Sequence, residues 1–163
     1  MKTRIFLLTG LLVFAGFAFG QKETRQQKAA ALEAKVKKAV ESKHYQLEVD
    51  KANPMHGQMI VLTSEYTLRM SNDSAYSYLP YYGIAYSAPM NGEGGIKFSE
   101  PTSDLKVLFK EGKGYTVSFT VKGTDDTYRF FVDIWINGTA SINVTSNNKQ
   151  SINFSGNLTL PDK

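Results

Sequence analysis

The stretch "TYRFFVDIWINGTASINVTS", residues 127–146, places two runs of alternating apolar and polar residues on either side of an Asn-Gly turn. A two-residue turn would pair Ile134 with Ser141 and would mix apolar and polar residues on one face. A three-residue loop ending at Gly138 instead pairs Ile134 with Ala140, so that the apolar sets coincide. Because a slip of one residue moves every side chain to the other face, we predict the second register. Gly138 then takes the left-handed conformation of a bulged antiparallel hairpin.

The same two-residue period extends over most of the chain from residue 44 onward. Short apolar-polar runs alternate with turns rich in glycine, asparagine and aspartate, which is typical of an antiparallel sandwich or barrel. The sequence therefore predicts a mainly β domain over residues 44–163. The runs lie at 45–49, 59–62, 66–70, 105–109, 115–121, 128–136, 140–144, 152–154 and 158–160.

Residues 21–43 have a different period and predict an N-terminal helix, from about Gln26 to Ser42. Leu32, Val36 and Val40 recur at every fourth position, among residues that favour helices. The apolar stripe is narrow, so we expect the helix to lie on another apolar surface as part of the same domain. That surface is predicted to include Trp135, which would point outward or toward the helix.

The first twenty residues have the layout of a secretory signal peptide. Two basic residues precede a nearly continuous apolar run from Ile5 to Phe19, and small residues end at Gly20. We predict cleavage between Gly20 and Gln21; a membrane anchor is the alternative, but the run is shorter than a bilayer requires. The chain has no cysteine, so it has no disulfide and no site for a lipoprotein anchor. The prediction is a soluble periplasmic or secreted protein.

The net charge of +4 is concentrated in the N-terminal part. Residues 1–20 carry +2 and residues 22–43 carry +4, while residues 44–163 carry −2. A nucleic-acid-binding domain usually has a basic face on its folded body. The predicted β domain does not, so we expect no nucleic-acid partner.

Residues suited to catalysis or metal binding are few. There is no Gly-x-Ser-x-Gly motif, and the two histidines, His44 and His56, are expected to be exposed near turns. Asp125 and Asp126, together with Asp133, could bind calcium weakly, although a turn explains the first two better. We therefore predict no catalytic residue, no metal site and no cofactor, and a protein that is not an enzyme.

A cluster of tyrosines surrounds the segment "YLPYYGIAYSAPMNGEGGIKF", residues 78–98. Pro80 and Pro89 bracket it, so it is predicted to be an edge strand or an ordered loop laid against the sheet. A phenol suits both a half-buried core and the wall of a ligand pocket. The segment "LPYYG" should bend the chain, so that one of the rings of Tyr81 and Tyr82 packs inward and the other lies at the barrel mouth. The candidate ligand-binding residues are Tyr76, Tyr78, Tyr81, Tyr82 and Tyr86.

The order of these motifs resembles the family called domain of unknown function 4251, small exported proteins of Bacteroidota. The resemblance rests on "LPYYG", "GGIKF", the "KEGKG" turn, the strand-Asn-Gly-strand unit and "SINVTSNNKQSINFSGNL", and it covers nearly all of the mature chain. It implies a lipocalin-like β-barrel or sandwich with an N-terminal helix. It implies no catalytic residues, because the family's function is unassigned. Lys149 stands where the family carries an arginine, which keeps the charge.

These observations favour an exported, non-catalytic module that binds a small apolar or glycan-like ligand or an envelope partner. A structural or accessory envelope protein without a ligand is the alternative, and an enzyme of unknown class comes third. A cavity ringed by the tyrosines would favour binding, whereas a filled interior would favour the accessory role. No membrane span is expected after signal removal, and neither the ligand nor the oligomeric state can be read from the sequence.

Overall fold

The computed structural model describes residues 25–87, 94–124 and 126–159, which form one helix and eight strands. The strands close into an antiparallel barrel in sequence order, with β8 paired to β1. The mainly β prediction is confirmed, and the barrel is the form adopted. The elements are α1 (Arg25–Glu41), β1 (His44–Pro54), β2 (Ile60–Ser71), β3 (Ser74–Leu79), β4 (Ile96–Lys110), β5 (Gly114–Lys122), β6 (Thr127–Trp135), β7 (Thr139–Ser146) and β8 (Ile152–Thr159).

Three of the sequence predictions fall on residues outside these ranges. They concern the signal peptide with its cleavage site, the position of Pro89 and the part played by Asp125. They remain predictions.

The β6–β7 hairpin has the register that its apolar pattern requires. Ile134 lies opposite Ala140, and Phe130 lies opposite Val144. Gly138 has a φ of 80°, and its N–H donates to the carbonyl of Trp135 at 2.9 Å. The three-residue loop is confirmed, and it shows that burial of a matched apolar face outweighs the usual preference of Asn-Gly for a tighter turn.

The barrel interior is filled by its own side chains. Phe130 and Phe154 are fully buried, and the rings of Phe119 and Phe130 stack with centroids 4.9 Å apart. Phe98 packs its ring edge-on against Phe130 at 5.6 Å. Eight strands leave an interior about wide enough for side chains, and each fully buried large apolar side chain contributes roughly 1.5–3 kcal/mol. The interior therefore serves as the core of the domain.

Helix α1 covers the barrel end that carries the β2–β3, β4–β5 and β6–β7 turns. Val36, Ala39 and Val40 are buried in the barrel core, whereas Leu32 is 36% exposed and lies beside Gly138, where an added Cβ would meet it at 3.6 Å. The predicted helix is confirmed. Its apolar stripe docks at the C-terminal half, because the N-terminal half extends to the rim of the barrel.

Trp135 is not a buried partner of the helix. It lies at the end of β6 and is 40% exposed, while its neighbour Ile134 is buried. The two-residue alternation of the strand explains this, since it directs adjacent side chains to opposite faces. The expectation that the tryptophan would be a large buried contact was wrong, although its outward direction was anticipated.

Candidate functional site

Residues 80–87, which we call the strap, cross the barrel end opposite the helix. The strap leaves β3 and reaches the β7–β8 loop, where Ala85 forms an isolated bridge with Lys149. The N–H of Tyr86 donates to the carbonyl of Asn148 at 2.7 Å, and the N–H of Gln150 donates to the carbonyl of Ile84 at 3.0 Å. Over residues 80–87 the predicted ordered loop is therefore present, and backbone bonds hold it across the opening.

Tyr81 is held in the strap by its hydroxyl group. The hydroxyl oxygen lies 2.9 Å from the carbonyl oxygen of Ile84 and 3.1 Å from that of Gln150. Burial raises the pKa of Tyr81 above its ordinary value. Because the hydroxyl already bonds to the protein's own backbone, Tyr81 acts first as a fastener of the strap.

Lys149 joins the strap end to the barrel. Its ammonium group donates to the hydroxyl of Tyr128 at 2.9 Å and to the carbonyl of Gly95 at 3.1 Å. It also lies 5.6 Å from the ring centroid of Tyr81 and 5.2 Å from that of Tyr128. Such a cation between aromatic rings is stabilising, especially when partly shielded from water. Lys149 therefore connects the strap, the β7–β8 loop and strand β6.

The strap leaves little room beneath it. The space among Tyr81, Ile96, Tyr128 and Lys149 is too small for a water-sized sphere. Tyr82 is half-buried against the core, as Tyr81 is. The burial of the two rings therefore does not distinguish an inward ring from a ring at the barrel mouth. Tyr86 is exposed.

Asp126, which the sequence offered as a weak calcium ligand or a turn residue, is a structural residue of the same barrel end. It is buried, and its Oδ1 accepts the N–H groups of Thr127 at 2.8 Å and Asn147 at 3.1 Å. Asp133 lies seven residues further along β6, about 23 Å away at the rise of a strand, and its carboxylate accepts a hydrogen bond from Thr116. These two aspartates therefore do not form a joint calcium site.

The other two predicted tyrosines lie on the outside of the barrel. Tyr76 is paired across strands with Arg69, whose guanidinium lies 4.3 Å from its ring centroid. Tyr78 is paired with Lys97, whose ammonium lies 5.1 Å from its ring. The ring of Tyr66 stacks on that of Tyr78 at 5.7 Å. We call these five residues the outer aromatic patch.

The outer aromatic patch has the features of a recognition surface. The side chain of Tyr78 is 51% exposed, and the residues that flank it stand on paired strands of a closed barrel. Aromatic rings supply apolar faces, and the guanidinium and ammonium groups supply charged hydrogen-bond donors. The patch holds no nucleophile paired with a base.

Sequence reasoning named only two of the five residues in this patch. A signal for Arg69 exists in the turn "SNDS", residues 71–74, since a two-residue loop there pairs Ser71 with Ser74 and brings Arg69 opposite Tyr76. The five predicted tyrosines thus do not converge. Two belong to the outer aromatic patch, Tyr81 fastens the strap, Tyr82 packs against the core, and Tyr86 is exposed.

The described residues contain no group of three or more histidine, cysteine, aspartate or glutamate side chains placed to hold a metal. His44 and His56 are both exposed, as expected. Over the same part of the chain, α1 is neither long enough nor apolar enough to cross a membrane.

Comparisons with known proteins identify a matching family and a structure of similar fold. The family model for a domain of unknown function, DUF4251, matches residues 27–158. The crystal structure of a DUF4251 family protein from Bacteroides eggerthii DSM 20697 is similar, with a TM-score of 0.66 and 21% identity over 83% of this chain and 92% of that one. No curated protein matches this chain.

Proposed function

We propose that this chain, which belongs to the DUF4251 family of unknown function, is an exported, non-catalytic module that binds a glycan of the cell envelope. The binding surface in this proposal is the outer aromatic patch. The single observation that carries it is the half-exposed ring of Tyr78, which stacks on Tyr66 and has the ammonium group of Lys97 5.1 Å from its centroid.

The filled interior argues for the wall as the place of binding. Pockets for small apolar ligands are concave and enclose most of the ligand. Here the barrel is packed with Phe130, Phe154 and their neighbours, while α1 and the strap close its two ends. We therefore place the proposed binding surface on the outside of the barrel.

The chemistry of the patch favours an acidic glycan. The apolar face of a sugar ring can lie on an exposed phenol ring, which combines apolar area with a polar handle. Arg69 presents a planar fork of donors that matches a carboxylate or a phosphate, and Lys97 adds a second positive charge.

The export part of the proposal rests on the residues of the N-terminal segment. The basic start, the apolar run to Phe19 and the small residues ending at Gly20 are the features of a cleaved signal. We expect a mature chain that begins at Gln21. Intact-mass analysis of the exported protein tests this, and a mature chain that still carries Phe19 would contradict it.

Titration of the mature chain with defined oligosaccharides tests the binding surface. Acidic and neutral cell-wall fragments would be compared by calorimetry. We expect Tyr78→Ala to weaken binding of the acidic fragments roughly tenfold, the effect of losing one aromatic contact. Arg69→Ala should weaken the acidic fragments and leave neutral ones nearly unchanged, since it removes a charge-assisted contact.

Phe131→Ala is the matched control, because Phe131 is an equally exposed aromatic residue on β6, outside the patch. It should leave binding unchanged. If neither fragment class binds, or if Tyr78→Ala and Phe131→Ala behave alike, the proposal is wrong.

A structural or accessory role without a ligand is the second candidate. The observation that favours it is the same filled barrel with two closed ends, which has the features of a building block. In this case the titrations show no binding, and deletion of the protein alters the envelope even when Tyr78→Ala supports normal function.

A further inference from the structure

Strand β4 is much longer than its neighbour β3, and its second half has one free edge. β3 pairs with β4 only over Ile96–Pro101, and the N–H of Thr102 donates to the carbonyl of Asp73 at 2.7 Å as the last backbone bond on that side. Residues 103–110 then pair with β5 alone. Within the part of the chain that the structure describes, no other strand covers this edge.

This edge is apolar and exposed. Val107, Leu108 and Phe109 follow one another and are 39%, 61% and 58% exposed. Val107 and Phe109 lie opposite Val117 and Tyr115, so they share the face that is buried in β5. An exposed strand edge with apolar side chains is a template for pairing with another strand, and soluble proteins usually cover or interrupt it.

We propose that residues 104–110 of β4 pair with the same residues of a second copy, in an antiparallel register centred on Val107. The barrel sheets of two copies then join edge to edge about a twofold axis. This proposal is independent of glycan binding, because the outer aromatic patch uses only Lys97, in the other half of β4.

The segment is complementary to itself in this register. Val107 meets Val107 of the second copy, and Leu105 meets Phe109, all on one face. Asp104 meets Lys110 at both ends, so the opposite charges pair twice. Asp104 and Leu105 form the bulge between Ser103 and Lys106, where Asp104 has a φ of 55°, so the proposed pairing begins at this bulge and runs to Lys110.

Sedimentation equilibrium of the mature chain, residues 21–163, tests the proposal. We expect a concentration-dependent monomer–dimer equilibrium. Val107→Lys should raise the dimer Kd at least ~10-fold, because it sets two like charges against each other at the twofold axis. Val61→Lys is the matched control, since Val61 is an exposed strand valine on β2, and it should leave the Kd unchanged.

A charge exchange tests the register. Asp104→Lys and Lys110→Asp should each weaken the dimer, and the two together in one chain should restore it. A monomeric parent chain, or a dimer that Val107→Lys leaves intact, would overturn the proposal. A dimer lost in Val107→Lys but not rescued by the double exchange would overturn the register centred on Val107.

Discussion

The two ends of the barrel are closed by different kinds of interaction. At the helix end, Val36, Ala39 and Val40 enter the core as apolar side chains. At the strap end, the closure depends on backbone hydrogen bonds and on the ammonium group of Lys149. One closure is therefore an extension of the hydrophobic core, and the other is a polar fastening laid over it.

The two closures differ in how well a sequence pattern can predict them. Apolar docking by a helix repeats every three or four residues, because the same face must meet the core at each turn. A strap held by carbonyl and N–H groups needs no repeated side chain, since every residue carries those groups. The helix end was therefore predictable to within a residue or two, while the strap was predicted only as a loop.

The largest expected effect lies at the helix end. Val36→Asp places an unpaired charge in the core and should lower the free energy of unfolding by about 3–5 kcal/mol, measured by urea denaturation. Leu32→Asp is the matched control, because it introduces the same side chain at a half-exposed position of the same apolar stripe on α1. Leu32→Asp should lower the free energy of unfolding by less than half as much as Val36→Asp. Equal decreases would show that the whole apolar stripe is buried.

A smaller and more local effect is expected at the strap end. Lys149→Met removes two hydrogen bonds and a cation between rings, so it should cost about 1–3 kcal/mol. Hydrogen exchange should accelerate at the amides of Tyr86 and Gln150, which hold the strap, but not at Asn72 near the helix. Lys122→Met, at an exposed lysine of the same barrel end, should change neither quantity. Acceleration at Asn72 as well would mean that the two closures unfold together.

Alkaline pH should weaken the helix end through Tyr45. Burial raises the pKa of Tyr45 well above its ordinary value. The folded state therefore holds the phenol proton more tightly than the unfolded state, whose tyrosine titrates near pH 10. The resulting stability is complete below about pH 10 and falls by about 1.4 kcal/mol for each further pH unit, until the pH reaches the raised pKa.

Urea denaturation at stepped pH, compared with Tyr45→Phe, measures this effect. The variant lacks the phenol proton, so its stability should fall less steeply above pH 10. Parallel curves for the two proteins would contradict the assignment to Tyr45. Tyr81 at the strap end has a pKa raised by burial in the same direction, so Tyr81→Phe is an informative companion.

The apolar-polar pattern of the sequence did not predict where the tyrosines of the candidate site lie. In β3 the buried positions include Ser77, which donates to the carbonyl of Ile96 at 2.7 Å, while Tyr76 and Tyr78 face outward. A polar residue at one buried position and two aromatic residues on the outer face depart from the usual assignment of faces. The tyrosines could be found from the sequence, but their division between the outer wall and the strap could not.

The amino-acid sequence by itself determined the two periodic regions, the position of α1 and the register of the β6–β7 hairpin. All three depend on neighbours close in the chain, where spacing and the burial of one face decide the outcome. Only the tertiary structure decided that β1 and β8 would close the sheet, with Gln46 opposite Thr159, or that β3 would be too short to cover the whole of β4. Those contacts join residues far apart in sequence, and they follow from how eight strands tilt and stagger to enclose one core.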